Sequence, residues 1–285
     1  MQLGNSRPIG LFDSGVGGLT VLNAVRKILP NEHLIYLGDT ARVPYGTKSA
    51  LSITRYAEQA LKALLRYDVK ALVIACNTAS AVALDALIAN YPSLLVMGVV
   101  EPGAEAAVNM TSSGQIGVIA TESTVNNQAY QKAILTRLPN AKIKSAACSL
   151  FVALAEEGWH EGELVEAIIK KSLNSLFDEY RYQETHVQDR IDTLVLGCTH
   201  FPALKTAISN VIGTDVSLVD SAEISAQQLV RKLQEHHLSA SESQQGRVKF
   251  LVTDGPSRFA RVAKHFYNES VDVEQVELID IQHFG

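Results

Sequence analysis

The sequence predicts an α/β protein of two similar lobes, each a mostly parallel sheet flanked by helices, facing one another across a central cleft. Three observations carry that expectation. Short apolar runs alternate with longer stretches whose apolar residues recur every three or four positions, the pattern of buried strands joined by amphipathic helices. Two stretches read as one phrase written twice: ALVIACNTAS at 71–80 and TLVLGCTHFP at 193–202 each pass from an apolar run through a small residue and a cysteine to a threonine. The length, 285 residues, is enough for two domains of ordinary size.

The elements follow in chain order. PIGLFD (8–13) is the first strand, TVLNAVRKILP (20–30) a helix, HLIYLGD (33–39) the second strand and SITRYAEQALKALLRYD (52–68) a second helix. ALVIAC (71–76) and LLVMGVV (94–100) are strands around the helix SAVALDALIANY (80–91). IGVIAT (116–121), the helix EGELVEAIIKKSLNSLFDEY (161–180), TLVLGC (193–198), VSLVDS (216–221) and VKFLVTD (248–254) complete the pattern. Polar RYQETHVQDR (181–190) and EHHLSASESQQGR (235–247) are connectors, and neither divides the chain cleanly. The paired phrases assign residues 1–98 with 212–285 to the lobe of Cys76, and residues 99–211 to the lobe of Cys198.

Composition narrows the function classes. Hydrophobic residues are 47% and charged residues 19%, which fits a well-filled core. The formal net charge of −5 and the lack of a basic run argue against nucleic acid as the main partner. The start, MQLGNSRPIGLFDSG, lacks a charged segment leading into a long apolar one, and no run of about 18 apolar residues follows, so neither an export signal nor a membrane span is expected. Three cysteines in a chain of this length are not a disulfide framework, which points to the cytoplasm, where a free thiol can be a reagent.

In parallel sheets functional groups gather at the carboxyl ends of strands, where Asp13, Asp39, Cys76, Thr121 and Cys198 fall. Most free cysteines are small buried hydrophobes. Cys76 and Cys198, however, each follow a strand and precede a helical pattern, at 79–87 and 202–208, and Pro202 suits a first helical turn. A helix start favours thiolate. Lowering a thiol pKa of ~8.5 by ~1.5 units makes about half of it thiolate, at a cost of roughly 2 kcal/mol of differential stabilisation. Both cysteines are therefore read as reactive, one on each wall of the cleft. Cys148, in KSAACSLFVALAEEG, lacks that context and is read as structural. A zinc site from Cys76, Cys198 and His200 has no supporting spacing, so no metal is expected.

FDSGVGGLT (12–20) turns from strand to helix through glycines that let a backbone approach a ligand closely. It matches neither nucleotide fingerprint, and Asp13 with Ser14 suits an ammonium or a polarised thiol better than a phosphate; a plain helix cap is the competing reading. Pro44, Tyr45 and Gly46 form a turn whose amides can grip a carboxylate, or an ordinary surface turn. Asn77, Thr78, Thr199 and His200 adjoin the cysteines as hydrogen-bonding groups, with His200 a candidate acid–base or orienting residue.

FDSGVGGLTV, GDTARVPYGTKS, ALVIACNTASAVALDAL, GVVEPGA, IGVIAT, LGCTHFP and LVDSA together resemble the glutamate racemases, in order and over nearly the whole chain. The resemblance implies two α/β lobes across a buried cleft, a homodimer, no cofactor, and L-/D-glutamate as substrate for peptidoglycan synthesis. It implies Cys76 and Cys198 as the two bases, with Cys76 acting on D-glutamate and Cys198 on L-glutamate. Asp13 with Ser14, Tyr45 with Gly46, Asn77 with Thr78, and Thr199 with His200 match the substrate contacts, and Thr121 joins them. Asp13, His200 and Glu156 match the groups that assist the cysteines, with Glu157 adjacent as the other candidate carboxylate. CSLFVA (148–153) lacks two prolines common in that family, and Ala203 replaces a leucine. The N-terminus is short beside relatives that carry a longer leader and respond to a cell-wall precursor nucleotide, so such activation is less expected here, and the resemblance leaves regulation by a precursor open. A racemase of another small acidic amino acid such as aspartate, and a binding protein for such a ligand, are the rival readings.

Overall fold

A computed structural model describes residues 5–177 and 190–284. Most of the connector at 181–190, and the last three positions of the expected helix at 161–180, lie outside the described residues. The chain begins with β1 (Ile9–Asp13), α1 (Leu19–Ile28), β2 (Leu34–Gly38), α2 (Ala50–Leu65), β3 (Ala71–Ile74), α3 (Asn77–Asn90) and β4 (Leu95–Gly98). Helix α4 (Val100–Met110) leads into β5 (Gln115–Ala120), α5 (Glu122–Asn127), α6 (Ala129–Arg137), β6 (Lys142–Ala147), α7 (Leu150–Glu156) and α8 (Glu163–Leu173). Then come β7 (Thr193–Gly197), α9 (Lys205–Ile212) and β8 (Ser217–Asp220). Helix α10 (Ser221–Glu235) leads back to β9 (Val248–Val252), α11 (Pro256–Ala263) and β10 (Val276–Leu278).

The strands form two sheets, in the orders β10-β9-β2-β1-β3-β4 and β6-β5-β7-β8, and every pairing is parallel. Helices cover both faces of each. On the first sheet one core gathers Leu11, Leu22, Tyr36, Val73 and Phe259, and the other gathers Phe12, Leu37, Leu61, Leu72 and Leu87. The second sheet is packed in the same way, by Phe151, Leu194, Phe201 and Ile208 on one side and Ile116, Val118, Tyr130 and Val195 on the other. Apolar side chains on both faces explain why the strands read as continuous apolar runs rather than alternating ones.

All eight strands read from the sequence are present. Two more had no such signature: β6, KIKSAA, is a largely exposed edge strand, and β10 is a three-residue edge strand. The division of the chain needs one correction. Strand β8 pairs with β7, Leu218 opposite Leu194, so the second sheet extends to Asp220 rather than ending at 211. The return to the first lobe runs through α10, which packs on both α1 and α4. Its start is fixed by Asp220, whose carboxylate accepts from the Ala222 amide at 2.9 Å.

Candidate active site

Adjacent parallel strands bring their carboxyl ends side by side. Strand β1 lies between β2 and β3, so Asp13, Asp39 and Cys76 neighbour one another at one end of the first sheet. On the second sheet β5 lies between β6 and β7, which aligns Thr121 with Cys198 on one side and with Cys148 on the other. Cys148 thus does have the strand-end, helix-start setting that its sequence lacked, because β6 precedes it and α7 follows. Its amide donates to Ala120 O at 2.8 Å, and burial pushes its thiol up to about 12.

Cys76 is the N-cap of α3; its Sγ accepts from the Ala79 amide at 3.5 Å and lies 3.6 Å from Ser14 Oγ. Cys198 differs. His200 rather than the cysteine precedes the next turn, a 3-10 segment at Phe201–Leu204 that leads into α9. Cys198 Sγ instead lies 3.8 Å from His200 Nδ1. Both sulfurs are enclosed, with 5% and 7% of their residues' surface exposed. The helix start does not produce a thiolate at Cys76: burial, reinforced by the nearby Asp13 carboxylate, pushes its thiol up to about 12.

The lobes meet at these ends. Thr78 Oγ1 is 2.9 Å from Thr121 Oγ1 and 3.2 Å from Thr124 Oγ1, a cluster of hydroxyls drawn from both walls. The Tyr130 hydroxyl reaches across to donate to Asn77 Oδ1 at 2.6 Å. Thr20 Oγ1 donates to Thr199 O at 3.4 Å. Gly17 allows the closest approach: a Cβ there meets the side chains of both Thr199 and His200.

Two buried polar atoms in this contact have no hydrogen-bond partner, Asp13 Oδ1 and Asn77 Nδ2. Asp13 is fully buried, and its other oxygen accepts from the Gly15 amide at 2.9 Å. Burial raises its carboxyl pKa, against the pull of His200. The Tyr130 hydroxyl occupies Asn77 Oδ1, which leaves the amide nitrogen to donate elsewhere. Orphaned buried groups are rare and call for a ligand or water. One is an acceptor and the other a donor, a match for an ammonium and a carboxylate. The first amides of α3, at Asn77 and Thr78, add helix-start donors with no intrahelical acceptor.

Behind Cys198 a charged chain is assembled. His200 Nε2 lies 3.1 Å from Glu156 Oε1, and Glu156 Oε2 lies 3.0 Å from Arg258 Nη2. Burial alone lowers the pKa of His200, but the contacts with Cys198 and Glu156 outweigh it and raise it to about 10. Burial likewise opposes ionisation of Glu156, and His200 with Arg258 overcomes it, holding the carboxyl below its ordinary value. Glu156 makes this contact; Glu157 points to the exposed side and lies 4.0 Å from Arg258.

Of the residues singled out from sequence, Asp13, Ser14, Cys76, Asn77, Thr78, Thr121, Glu156, Cys198, Thr199 and His200 converge on the lobe contact. Gly46 joins them through Thr121, since a Cβ there stands 2.6 Å from Thr121 Cβ. Tyr45 is placed differently: its hydroxyl donates to Asp39, which also accepts from Arg42 Nε at 2.6 Å and Thr253 Oγ1 at 2.8 Å. Its phenol therefore orders the loop, while the backbone amides read from sequence as a carboxylate grip belong to the 3-10 turn Tyr45–Thr47, where Gly46 lies against Thr121. Tyr130, Thr124, Arg258 and Phe266 were not legible, because they lie within or after helices and carry no strand-end signature. Among the described residues no group of three or more His, Cys, Asp or Glu is arranged to hold a metal ion, and no helix is long and apolar enough to cross a membrane.

Residues 19–229 match the protein family described as Asp/Glu/Hydantoin racemase. A glutamate racemase of Geobacter metallireducens is 47% identical over 273 residues, covering 95% of this chain and 97% of the relative. Among solved structures, glutamate racemase from Francisella tularensis in complex with D-glutamate superposes with a TM-score of 0.87 at 37% identity, covering 98% of this chain and 99% of that one. Glutamate racemase from Thermus thermophilus in complex with beta-chloro-D-alanine gives 0.83 at 40% identity, covering 97% and 98%.

Proposed function

This chain belongs to the Asp/Glu/hydantoin racemase family, and we propose that it interconverts L- and D-glutamate by moving a proton between Cys76 and Cys198. The observation that carries this reading is the pair of thiols on opposite lobes, flanked by one unpaired acceptor, Asp13 Oδ1, and one unpaired donor, Asn77 Nδ2. Inversion at one carbon requires a base on one face and an acid on the other, and a single thiol serves one face only.

The step balances within the chain. A thiolate takes the α-proton and becomes a thiol, the electron pair stays on the α-carbon and its carboxylate, and the opposite thiol gives its proton to the other face and becomes the thiolate. The reverse reaction exchanges the roles. Asp13 Oδ1 receives the ammonium, while Asn77 Nδ2 and the first amides of α3 receive a carboxylate. Fixed donors in a water-poor site stabilise the developing charge. A bound ammonium also changes the balance at Cys76. It neutralises Asp13, whose charge together with burial holds the thiol up at about 12, and so favours the thiolate when substrate is present. On the other wall His200, paired with Glu156, is the cation beside Cys198.

Glutamate is the substrate named for the relatives, and the same resemblance supports a cytoplasmic homodimer that works without a cofactor and supplies D-glutamate for peptidoglycan. The test is to incubate the protein with D-glutamate in deuterated water with no added cofactor. Falling optical rotation with deuterium appearing at the α-carbon is the expected result. Neither change with D-glutamate, but both with D-aspartate, would reassign the substrate. No exchange with either would leave an amino-acid-binding protein.

A further inference from the structure

Glu156 is gripped from two directions. From its own lobe His200 lies 3.1 Å away; from the other lobe Arg258, on α11, lies 3.0 Å away. The first lobe touches this triad a second time, where the Phe266 ring packs edge-on against His200 with centroids 5.1 Å apart. Beside the ion pair, on the lobe boundary, is a cavity of about 70 Å³ lined by Gly15, Thr40, Val43, Glu156, Arg258 and Phe259. It is too small for an amino acid and large enough for a few waters. The proton transfer described above does not require Arg258. Yet it is the partner that reaches Glu156 from the first lobe, and the pair is broken whenever the lobes separate.

We propose that Arg258 is a positioning residue of the racemase site, pairing with Glu156 across the cleft to keep that carboxylate against His200 only while the lobes are closed. The inference rests on the two-thiol reading. Closure thereby does more than exclude water: it completes the charge pattern Arg258–Glu156–His200 behind Cys198. Other groups in this field are Asp13 from the end of β1, Asp254 before α11, Glu157 beside Glu156, and the His160–His265 ring pair farther along the same boundary, with centroids 5.2 Å apart. Of these, only Asp13 acts directly on His200, where it adds to the hold exerted by Cys198 and Glu156.

Arg258 is 58% exposed, so substitution there leaves the core packing alone. The experiment compares wild type with R258Q, R258K and the exposed neighbour variant E157Q. The His200 imidazole is titrated by NMR without substrate, and kcat and KM are measured across pH. In R258Q the His200 midpoint should fall by about one pH unit, because Glu156, ionised throughout that titration, is no longer held against the imidazolium and moves away from it. Turnover at neutral pH should drop about tenfold with KM within about twofold, since a proton-transfer partner rather than binding is disturbed. R258K should restore most of both, and E157Q should change neither. A folded R258Q with the wild-type His200 midpoint overturns the proposal, as does an E157Q that reproduces the R258Q effect. The two readings fail separately. If wild type racemises and R258Q matches it in both readouts, only the role of Arg258 falls. If wild type does not racemise but the His200 midpoint shifts in R258Q, the positioning contact stands and the reaction is wrong.

Discussion

At the sulfur of Cys76 two effects oppose each other. A helix start is worth about 0.3–1 kcal/mol to a negative charge, while enclosure beside Asp13 pushes the thiol up to about 12. Burial wins, so the resting residue is a thiol, and in the proposed mechanism the substrate ammonium, by neutralising Asp13, shifts it toward the thiolate. Spacing therefore places Cys76 at a helix start, as the structure does, but misses its charge state, because only packing reveals the desolvation. Each cysteine should be indispensable all the same. Cys76→Ser and Cys198→Ser should each lower kcat by at least ~10³-fold, because a serine hydroxyl is a far weaker base than a thiol. Melting temperature and circular dichroism should stay close to wild type, since the serine oxygen can still accept from the Ala79 amide that Cys76 caps. A single mutant with wild-type turnover would exclude the two-thiol mechanism.

Elements that are apolar on both faces announce themselves, and those at the margins do not. Strands β1 to β5 and β7 to β9 were all legible as apolar runs, whereas β6 alternates lysine, isoleucine and serine on an exposed edge and passes unnoticed. That one omission also hid the setting of Cys148. Helix α7 was hidden for a related reason: seven residues are too few to establish a period, although Glu156 ends it. Strand position also depends on polar anchors that no pattern reveals. Asp192, just before β7, accepts from Thr111 Oγ1 at 2.6 Å, the Ser112 amide at 2.8 Å and the Ser113 amide at 2.7 Å, tying β7 to the loop that enters β5. These bonds hold its carboxyl well below the ordinary range, overcoming a burial effect of opposite sign. Asp192→Ala should therefore cost about 1–3 kcal/mol at neutral pH. The sign with pH is fixed by a carboxyl depressed on folding: its contribution is present above the unfolded pKa and disappears as acid protonates the folded group. The gap between the denaturant midpoints of wild type and variant should narrow from pH 7 to pH 3 without closing, because the unfolded carboxyl is largely protonated there while the folded one is still ionised; an equal gap at both would remove Asp192 as the anchor.

The proposed site is assembled from both halves of the molecule, and glycines set how closely those halves can approach. Gly46 in the first lobe lies against Thr121 in the second, where an added methyl stands 2.6 Å from Thr121 Cβ and 2.8 Å from its Cγ2. Thr121 is not free to retreat, because its hydroxyl is 2.9 Å from Thr78 and 3.0 Å from Thr124. Gly46→Ala therefore has two ways to relieve the overlap: break the threonine cluster or part the lobes. Overpacking of this kind costs about 1–3 kcal/mol when it falls in a fixed core, but here it falls on a boundary between two bodies with separate cores. The cheaper response is separation, which moves Cys198 and its wall away from Cys76 and costs rate without unfolding either lobe. The variant should keep its melting temperature within a few degrees and lose about 10²-fold in kcat/KM, the scale of a misplacement near 1 Å. Small-angle scattering of the ligand-free protein should show a larger radius of gyration than wild type. A stable Gly46→Ala with unchanged kcat/KM and radius would mean that the cleft closes on other contacts, and that Gly17 against Thr199 and His200 sets the spacing of the two thiols instead.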